Sequence, residues 1–331
     1  MILHPAVLAL LSGSLLTGFI LVCALLFSIR ILVRWDITSG SEYQLTLERR
    51  TYLIATILNY AFAFQIFSLF LYIYTADHLH GLFTGAMCAA GSLHVNSYGY
   101  PVLLLKIVNL IFAGTWLILN YADVRGYDYP LIRPKYGLLL FLVPFVLVET
   151  VLQFLYFGNL HADVITSCCG SLFSLERSGI AADIAGLPFR PAMFAFYGAV
   201  CVTVLCGLYF CRKGRGGYLY SLFSALTFVV AIASLISFIC LYFYDLPSHH
   251  CPFCILQKEY RYVGYLLYGT MLGGGVAGIG VGVLMPFRGQ GSMARIIPGL
   301  QRRLAAGSIF LYIVLTIIVS WRIWVSPLEL N

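Results

Sequence analysis

Long runs of apolar residues recur along the chain, and the segments between them hold most of the charged residues. Eight runs reach the length of about 20 residues that a helix needs to cross the hydrocarbon core of a bilayer. The runs lack the strict alternation of barrel strands, and an unpaired backbone amide is costly in lipid, so the pattern predicts helices. They cover residues 6–29, 52–75, 101–121, 137–158, 191–211, 219–244, 262–286 and 306–325.

Composition supports this interpretation. Hydrophobic residues make up 61% of the 331 positions and charged residues only 10%, whereas charged residues are about 25% of a soluble globular domain. The predicted fold class is therefore an all-α polytopic membrane protein with about eight transmembrane helices, and its expected partner is the lipid bilayer. The net charge of +7 does not indicate a nucleic-acid partner, because its distribution follows the membrane topology.

Basic residues are concentrated in alternate loops. The loops after the second, fourth and sixth runs contain only Arg177, Arg190, Lys258 and Arg261. The positive-inside rule therefore predicts both termini and these loops outside the cytoplasm, and a plasma (inner) membrane location. The segment MILHPA lacks Lys and Arg, so the first run is expected to be a retained helix and not a cleaved signal peptide. The loops predicted inside contain Arg30, Arg34, Arg49, Arg50, Arg125, Arg133, Lys135, Arg212, Lys213, Arg215, Arg288, Arg295, Arg302 and Arg303.

A single integral membrane domain, 1–331, is expected, because no loop is long enough for a separate soluble fold. The segment LYIYTADHLH at the end of the second run resembles LYFYDLPSHH at the end of the sixth. This echo suggests halves 1–158 and 191–331 joined by the outer loop 159–190, although an aromatic belt at the membrane interface also explains it. In the seventh run, Gly274, Gly278 and Gly282 form a stripe at four-residue spacing that favours close helix packing over a ligand route.

Five cysteines fall in the predicted outer loops: Cys88, Cys168, Cys169, Cys251 and Cys254. The pair Cys251 and Cys254 forms a C-x-x-C motif that is predicted to open a helix. A helix N-terminus stabilises a thiolate, so Cys251 is the expected nucleophile and Cys254 its resolving partner. A structural disulfide, or half of a metal site, remains the alternative interpretation.

The run CPFCILQK at 251–258 resembles the C-x-x-C-x-x-[QE]-[RK] segment of the DsbB-type disulfide-forming proteins. The segments from Cys88 (CAAGSL, then SYGYP) and from Cys169 (CGSLF, then GLP) are similar to the loop cysteine segment of vitamin K epoxide reductase homologues. These families use a four-helix bundle, whereas eight runs are present here. The resemblance implies a dithiol that passes electrons to a quinone, with Lys258 and Gln257 near the quinone head.

A dithiol facing quinone needs a second redox pair to reach a soluble substrate, and Cys88 with Cys168 or Cys169 is the expected one. A thioredoxin-like extracytoplasmic protein is the expected partner. Within the runs, Glu149 is expected to be protonated, paired or placed on a proton or quinone route. Lys106 either extends towards water or pairs with Glu149.

Histidines support a rival hypothesis, since they cluster with the cysteines at the predicted outer face. Copper, zinc or haem would then be held by these loops, and the chain would be a subunit of a larger membrane electron-transfer complex. A transporter with structural disulfides is the third hypothesis, and a quinone-linked thiol–disulfide oxidoreductase is the leading one. The candidate metal ligands among the histidines are His249, His250, His80, His94 and His161.

Overall fold

The computed structural model describes residues 3–161, 164–166 and 180–328. The predicted site residues Cys168 and Cys169 lie outside these described residues. Within them the chain is helical and contains no strand, with one isolated bridge between Thr84 and Ile165. The α-helices are α1 Pro5–Arg34, α2 Glu42–His78, α3 Ala89–His94, α4 Gly99–Asp123, α5 Ile132–Gly158, α6 Ile180–Ala185, α7 Phe189–Lys213, α8 Gly217–Ser234, α9 Cys240–Tyr244, α10 Val263–Leu284 and α11 Met293–Val325.

Eight helical segments of the described chain are long and apolar enough to cross a membrane, as the runs predicted. The sixth of them, Gly217–Tyr244, joins α8 and α9 into one span, and the second extends through Leu82. Several helices extend beyond the apolar runs, as at the start of α2 and of α11. The residues in these extensions are more polar, and the hydropathy pattern does not mark them as part of a span. The prediction of a helical chain with eight helices that could span a membrane is confirmed, and the orientation of its termini stays a prediction.

The chain divides into two compact units. Unit 1 comprises Met1–Thr75, Asn96–Leu160 and Pro286–Leu300. Its helix α5 packs against both α1 and α4. Apolar side chains from α1, α2, α4 and α5 form its core, in which Phe62 and Trp116 are fully buried and their ring centroids lie 4.9 Å apart.

Unit 2 comprises Ala76–Val95, His161–Met285 and Gln301–Asn331. Its helix α8 packs against α7 and α10. The glycine stripe of α10 lies at this contact: a Cβ on Gly278 would collide with the Ser224 side chain, and one on Gly282 with Ser221. The stripe therefore packs against a neighbouring helix, as its spacing predicted.

The sixth span contains a π turn at Leu235–Ile239, between α8 and α9. Here the Cys240 N–H donates to the carbonyl of Leu235, five residues back, and not to that of Ile236. The Ile236 carbonyl accepts instead from His250 Nδ1 at 2.9 Å. The irregular turn thus provides a backbone anchor for the loop that follows the span.

The C-x-x-C motif does not open a long helix, and that expectation was wrong. Cys254–Leu256 is one 3₁₀ turn and Lys258–Tyr260 is another, so α10 begins only at Val263. Gln257 is extended, and Arg261 and Tyr262 have left-handed backbone conformations with φ of 54° and 57°. These breaks separate the cysteines from the helix, so no helix dipole activates Cys251.

Candidate functional site

Three cysteine sulfurs converge in unit 2. The Sγ atoms of Cys88, Cys251 and Cys254 all lie within 4.8 Å of one another. Cys88 Sγ is 3.6 Å from Cys251 Sγ, although the two residues are 163 positions apart in the chain. Cys88 and Cys251 are fully buried and Cys254 is 7% exposed. The structure therefore brings three of the five predicted outer cysteines into one cluster, which we call the thiol cluster.

A carboxylate joins the two segments that carry these cysteines. Asp77 Oδ1 accepts from the backbone N–H of Ala89, next to Cys88, at 3.1 Å. The same oxygen accepts from Gln257 Nε2 at 3.0 Å, and that amide also donates to the carbonyl of Met87 at 3.0 Å. Gln257 lies three residues after Cys254. Asp77 and Gln257 therefore fix the loop of Cys88 against the loop of Cys251 and Cys254.

Two tyrosines hold the C-x-x-C turn. Tyr244, the last residue of α9, donates from its hydroxyl to the Cys251 carbonyl at 2.5 Å and accepts from the Ile255 N–H at 2.8 Å. Tyr268 of α10 donates to the Pro252 carbonyl at 2.6 Å. The turn is thus tied to the ends of two spans, so its sulfurs are positioned by rigid helices.

Close backbone approach also shapes the site. A Cβ on Gly264 would lie 2.9 Å from the carbonyl oxygen of Ile255, so only glycine lets the turn rest directly on the first turn of α10. Gly85, three residues before Cys88, has φ +89°, and a Cβ there would collide with the carbonyl of Thr166. Thr166 in turn donates through Oγ1 to the Gly91 carbonyl at 3.0 Å.

One predicted histidine reaches the thiol cluster. His249 Nε2 lies 3.4 Å from Cys254 Sγ, and its ring packs edge-on against Tyr244 with centroids 4.6 Å apart. His250 binds the Ile236 carbonyl, and His80 Nδ1 binds the carbonyl of Asp77. His94 ends α3, and His161 is exposed.

The predicted cofactor-binding residues lie in different places. Gln257 supports the thiol cluster through Asp77, whereas Lys258 is exposed and begins the second 3₁₀ turn.

The second 3₁₀ turn ends at Tyr260, whose ring centroid is 4.8 Å from that of Tyr244. Partial burial, with Cys254 and Glu259 nearby, raises the pKa of Tyr260, so its hydroxyl stays protonated at neutral pH.

Lys106 and Glu149 belong to a buried network in unit 1. Lys106 Nζ donates to Glu149 Oε1 at 2.6 Å and to Ser68 Oγ at 3.1 Å. The other carboxylate oxygen accepts from Gln65 Nε2 and, at 2.5 Å, from Asn109 Nδ2. Both charged side chains are almost completely buried. Of the alternatives weighed for Lys106, pairing with Glu149 is the one observed.

Sequence reasoning missed a second buried ion pair in unit 1. Lys135 Nζ lies 2.5 Å from Asp123 Oδ2 and donates to Asn120 Oδ1 at 3.0 Å. Lys135 was counted among the basic residues of an inner loop, yet it is 2% exposed. The sequence signal that could have indicated this pair is an aspartate at the end of α4 and a lysine in the first turn of α5.

Asp77, Tyr244 and Tyr268 were also missed as site residues. Asp77 and Tyr244 lie in the similar segments LYIYTADHLH and LYFYDLPSHH, whose likeness indicates a repeat or an aromatic belt but no role in a site. No protein-family model matches the chain, and comparisons with curated proteins and with solved structures found no match. Functional inference therefore depends on the geometry of the thiol cluster.

Proposed function

We propose that the protein is a multi-pass membrane thiol–disulfide oxidoreductase whose reacting groups are Cys88, Cys251 and Cys254. The supporting observation is the 3.6 Å contact between Cys88 Sγ and Cys251 Sγ, with Cys254 Sγ in the same cluster. Sulfurs this close can exchange a disulfide with small movements, since a bonded pair is about 2.05 Å apart. Burial slows the reaction of the cluster with bulk oxidants.

The internal step is an exchange without net oxidation. With Cys251 and Cys254 joined, the Cys88 thiolate attacks Cys251 Sγ. A Cys88–Cys251 bond forms, the Cys251–Cys254 bond breaks, and Cys254 leaves as a thiolate that takes up a proton. Cys251 is the central sulfur of the relay, because it takes part in both bonds.

The overall reaction links a soluble dithiol to a quinone. The partner dithiol loses two electrons and two protons and becomes a disulfide, while the quinone gains them and becomes a quinol. The quinone comes from the resemblance of the 251–258 segment, and the extracytoplasmic face comes from the loop charges. The thioredoxin-like partner follows from the need for a soluble substrate that exchanges with a second redox pair. The reduction potentials of centre, partner and quinone set the direction of flow.

Trapping of a mixed disulfide tests the proposal. In Cys254→Ala, Cys88 can still resolve a bond between Cys251 and a partner, because its sulfur is 3.6 Å away. We therefore expect mixed disulfides to accumulate more strongly in the double variant Cys88→Ala/Cys254→Ala than in Cys254→Ala alone. Non-reducing gels and mass spectrometry of the adducts measure this, and Cys201→Ala, an exposed cysteine of α7, is the matched control.

The variant Cys251→Ser tests the central role of Cys251 in the relay. Cys251→Ser should abolish both the adduct and quinone-linked electron transfer. If electron transfer continues at the wild-type rate in Cys251→Ser, or if the double variant forms no more adduct than Cys201→Ala, the proposed relay is wrong.

A metal-binding subunit of an electron-transfer complex is the second candidate function. The observation in its favour is that three sulfurs lie within 4.8 Å of one another and that His249 adjoins one of them. Soft thiolate ligands suit copper, zinc and iron–sulfur centres. An optical spectrum of the protein purified from its native membrane separates this function from the first if it changes between the oxidised and the reduced protein, because that change indicates a redox-active metal; bound zinc alone does not separate them.

A further inference from the structure

We infer that the reduced thiol cluster is a binding site for one thiophilic d¹⁰ metal ion, Cu⁺ or Zn²⁺, with Cys88, Cys251 and Cys254 as its ligands and His249 as the candidate fourth. The first support is the spacing of the sulfurs. Two thiolates each about 2.3 Å from a tetrahedral zinc ion are about 3.8 Å apart. The observed distance between Cys88 Sγ and Cys251 Sγ is 3.6 Å, and all three sulfurs fall within 4.8 Å.

His249 is the candidate fourth donor: it lies beside Cys254 but not within 4.8 Å of all three sulfurs, so its ring has to move towards the cluster to bind the same ion. A zinc-bound imidazole nitrogen, about 2.0–2.1 Å from the ion, lies about 3.5 Å from a thiolate sulfur on the same ion. His249 Nε2 is 3.4 Å from Cys254 Sγ. The edge-on contact with Tyr244 holds the imidazole ring beside the cluster. Three thiolates and one imidazole form a known donor set of closed zinc sites, and the soft sulfurs equally suit Cu⁺.

The surroundings favour a fixed metal site. Asp77 and Gln257 hold the two cysteine-bearing segments together, and Tyr244 and Tyr268 fix the turn between Cys251 and Ile255. Supporting contacts of this kind orient metal ligands and preserve affinity. Thiolates are costly to bury without a compensating cation, so metal binding releases protons from the thiols and stabilises the buried cluster.

Ligation and disulfide formation compete for the same sulfurs. A disulfide between any two of the three cysteines removes two thiolate ligands, so only the reduced protein should bind the ion. The inference does not depend on the proposed electron transfer, because ligation requires close thiolates and no partner or quinone. Metal occupancy would instead protect the cluster from oxidation.

Titration of the reduced, detergent-solubilised full chain under anaerobic conditions tests the site. Co²⁺ is the spectroscopic probe for zinc, and Cu⁺ is measured by competition with a chromogenic chelator. We expect one ion per chain and a thiolate-to-cobalt charge-transfer band. Wild-type protein oxidised with diamide should lose binding, and reductant should restore it, which tests the thiol requirement without altering the fold.

Variants assign the ligands. Cys88→Ser should reduce the charge-transfer intensity by about one third, as three thiolates become two, and weaken affinity by more than the about 10–100-fold typical of losing an outer-shell partner. His249→Ala should weaken binding while preserving that intensity. Cys206→Ser is the control, since Cys206 is a partly buried cysteine of α7 in the same unit and is not in the three-sulfur group.

Three results would overturn the inference: no binding by the reduced wild-type protein, equal binding after oxidation, or unchanged binding in Cys88→Ser. Undiminished affinity in His249→Ala would remove His249 from the ligand set. Failure here leaves disulfide trapping through Cys251 intact as evidence for the proposed function, and failure of trapping leaves the metal titration intact.

Discussion

At the scale of single residues, Tyr244 does more for the site than its place at the end of an apolar run suggests. Its hydroxyl bridges the Cys251 carbonyl and the Ile255 N–H, so one side chain closes the turn that carries both cysteines of the motif. The bridge satisfies two buried backbone groups at once. A tyrosine at a membrane interface is usually explained by anchoring alone.

We expect Tyr244→Phe to loosen this turn. The substitution keeps the ring but leaves two buried backbone groups without their partner, at a cost of about 1–3 kcal/mol for each group. Alkylation of Cys251 and Cys254 should become faster, and thermal stability should fall. Mass-resolved thiol labelling over time measures the first effect, with the half-exposed Tyr262→Phe as control. Equal labelling rates in both variants would contradict the role given to Tyr244.

At the scale of elements, the apolar runs predicted the eight long helices but not what happens between them. Hydropathy is a local property of the sequence, so a span of about 20 apolar residues can be recognised without knowledge of its contacts. The break from Gln257 to Tyr262 is different, because its extended and left-handed residues are set by contacts with Asp77 and α10 and not by the local pattern. The prediction that a helix begins at Cys251 was wrong for that reason.

The site was predictable in part. The C-x-x-C motif and Cys88 were visible as residues, whereas their convergence depends on contacts across 163 positions that no local pattern encodes. Asp77 was overlooked because a single carboxylate at a helix end is ordinary in sequence. Its significance comes from Ala89 and Gln257, which reach it from distant segments.

The ion pair of Lys106 and Glu149 fastens α4 to α5, and its removal should affect stability in a specific pattern. Glu149→Gln leaves a buried lysine without its carboxylate, which costs about 3–5 kcal/mol. The double variant Lys106→Met/Glu149→Gln should recover most of that loss, because neither charge then remains buried. Thermal unfolding in nanodiscs measures both, with Val148→Ala on the exposed face of α5 as control. A double variant less stable than Glu149→Gln would refute this account.

At the scale of the whole molecule, the segregation of charge among loops is the feature from which the orientation of the protein is predicted. The loops that carry Cys88, Cys251 and Cys254 are poor in Lys and Arg, and the alternate loops are rich in them. Burial of Lys135 removes one residue from the inner count without changing the balance, since many arginines remain. The proposed chemistry depends on this orientation, because disulfides persist in oxidising compartments.

Cysteine labelling of intact cells should show the orientation. Gly81 and Gly289 are both exposed and have no neighbouring atom within 4 Å of an added Cβ, so each accepts a cysteine without a clash. A membrane-impermeant maleimide should label Gly81→Cys in intact cells, and Gly289→Cys only after permeabilisation. The opposite pattern would place the thiol cluster on the cytoplasmic side and exclude a periplasmic or extracellular partner.

The tie between Tyr244 and the Cys251 carbonyl has a mechanical consequence. Formation of a Cys88–Cys251 bond shortens the 3.6 Å separation of the sulfurs by about 1.5 Å. Because the Cys251 backbone is hydrogen-bonded through Tyr244 to the end of the sixth long apolar helix, a movement of Cys251 would also displace the end of that helix. The redox state of Cys88 and Cys251 would then be coupled to the position of a helix end.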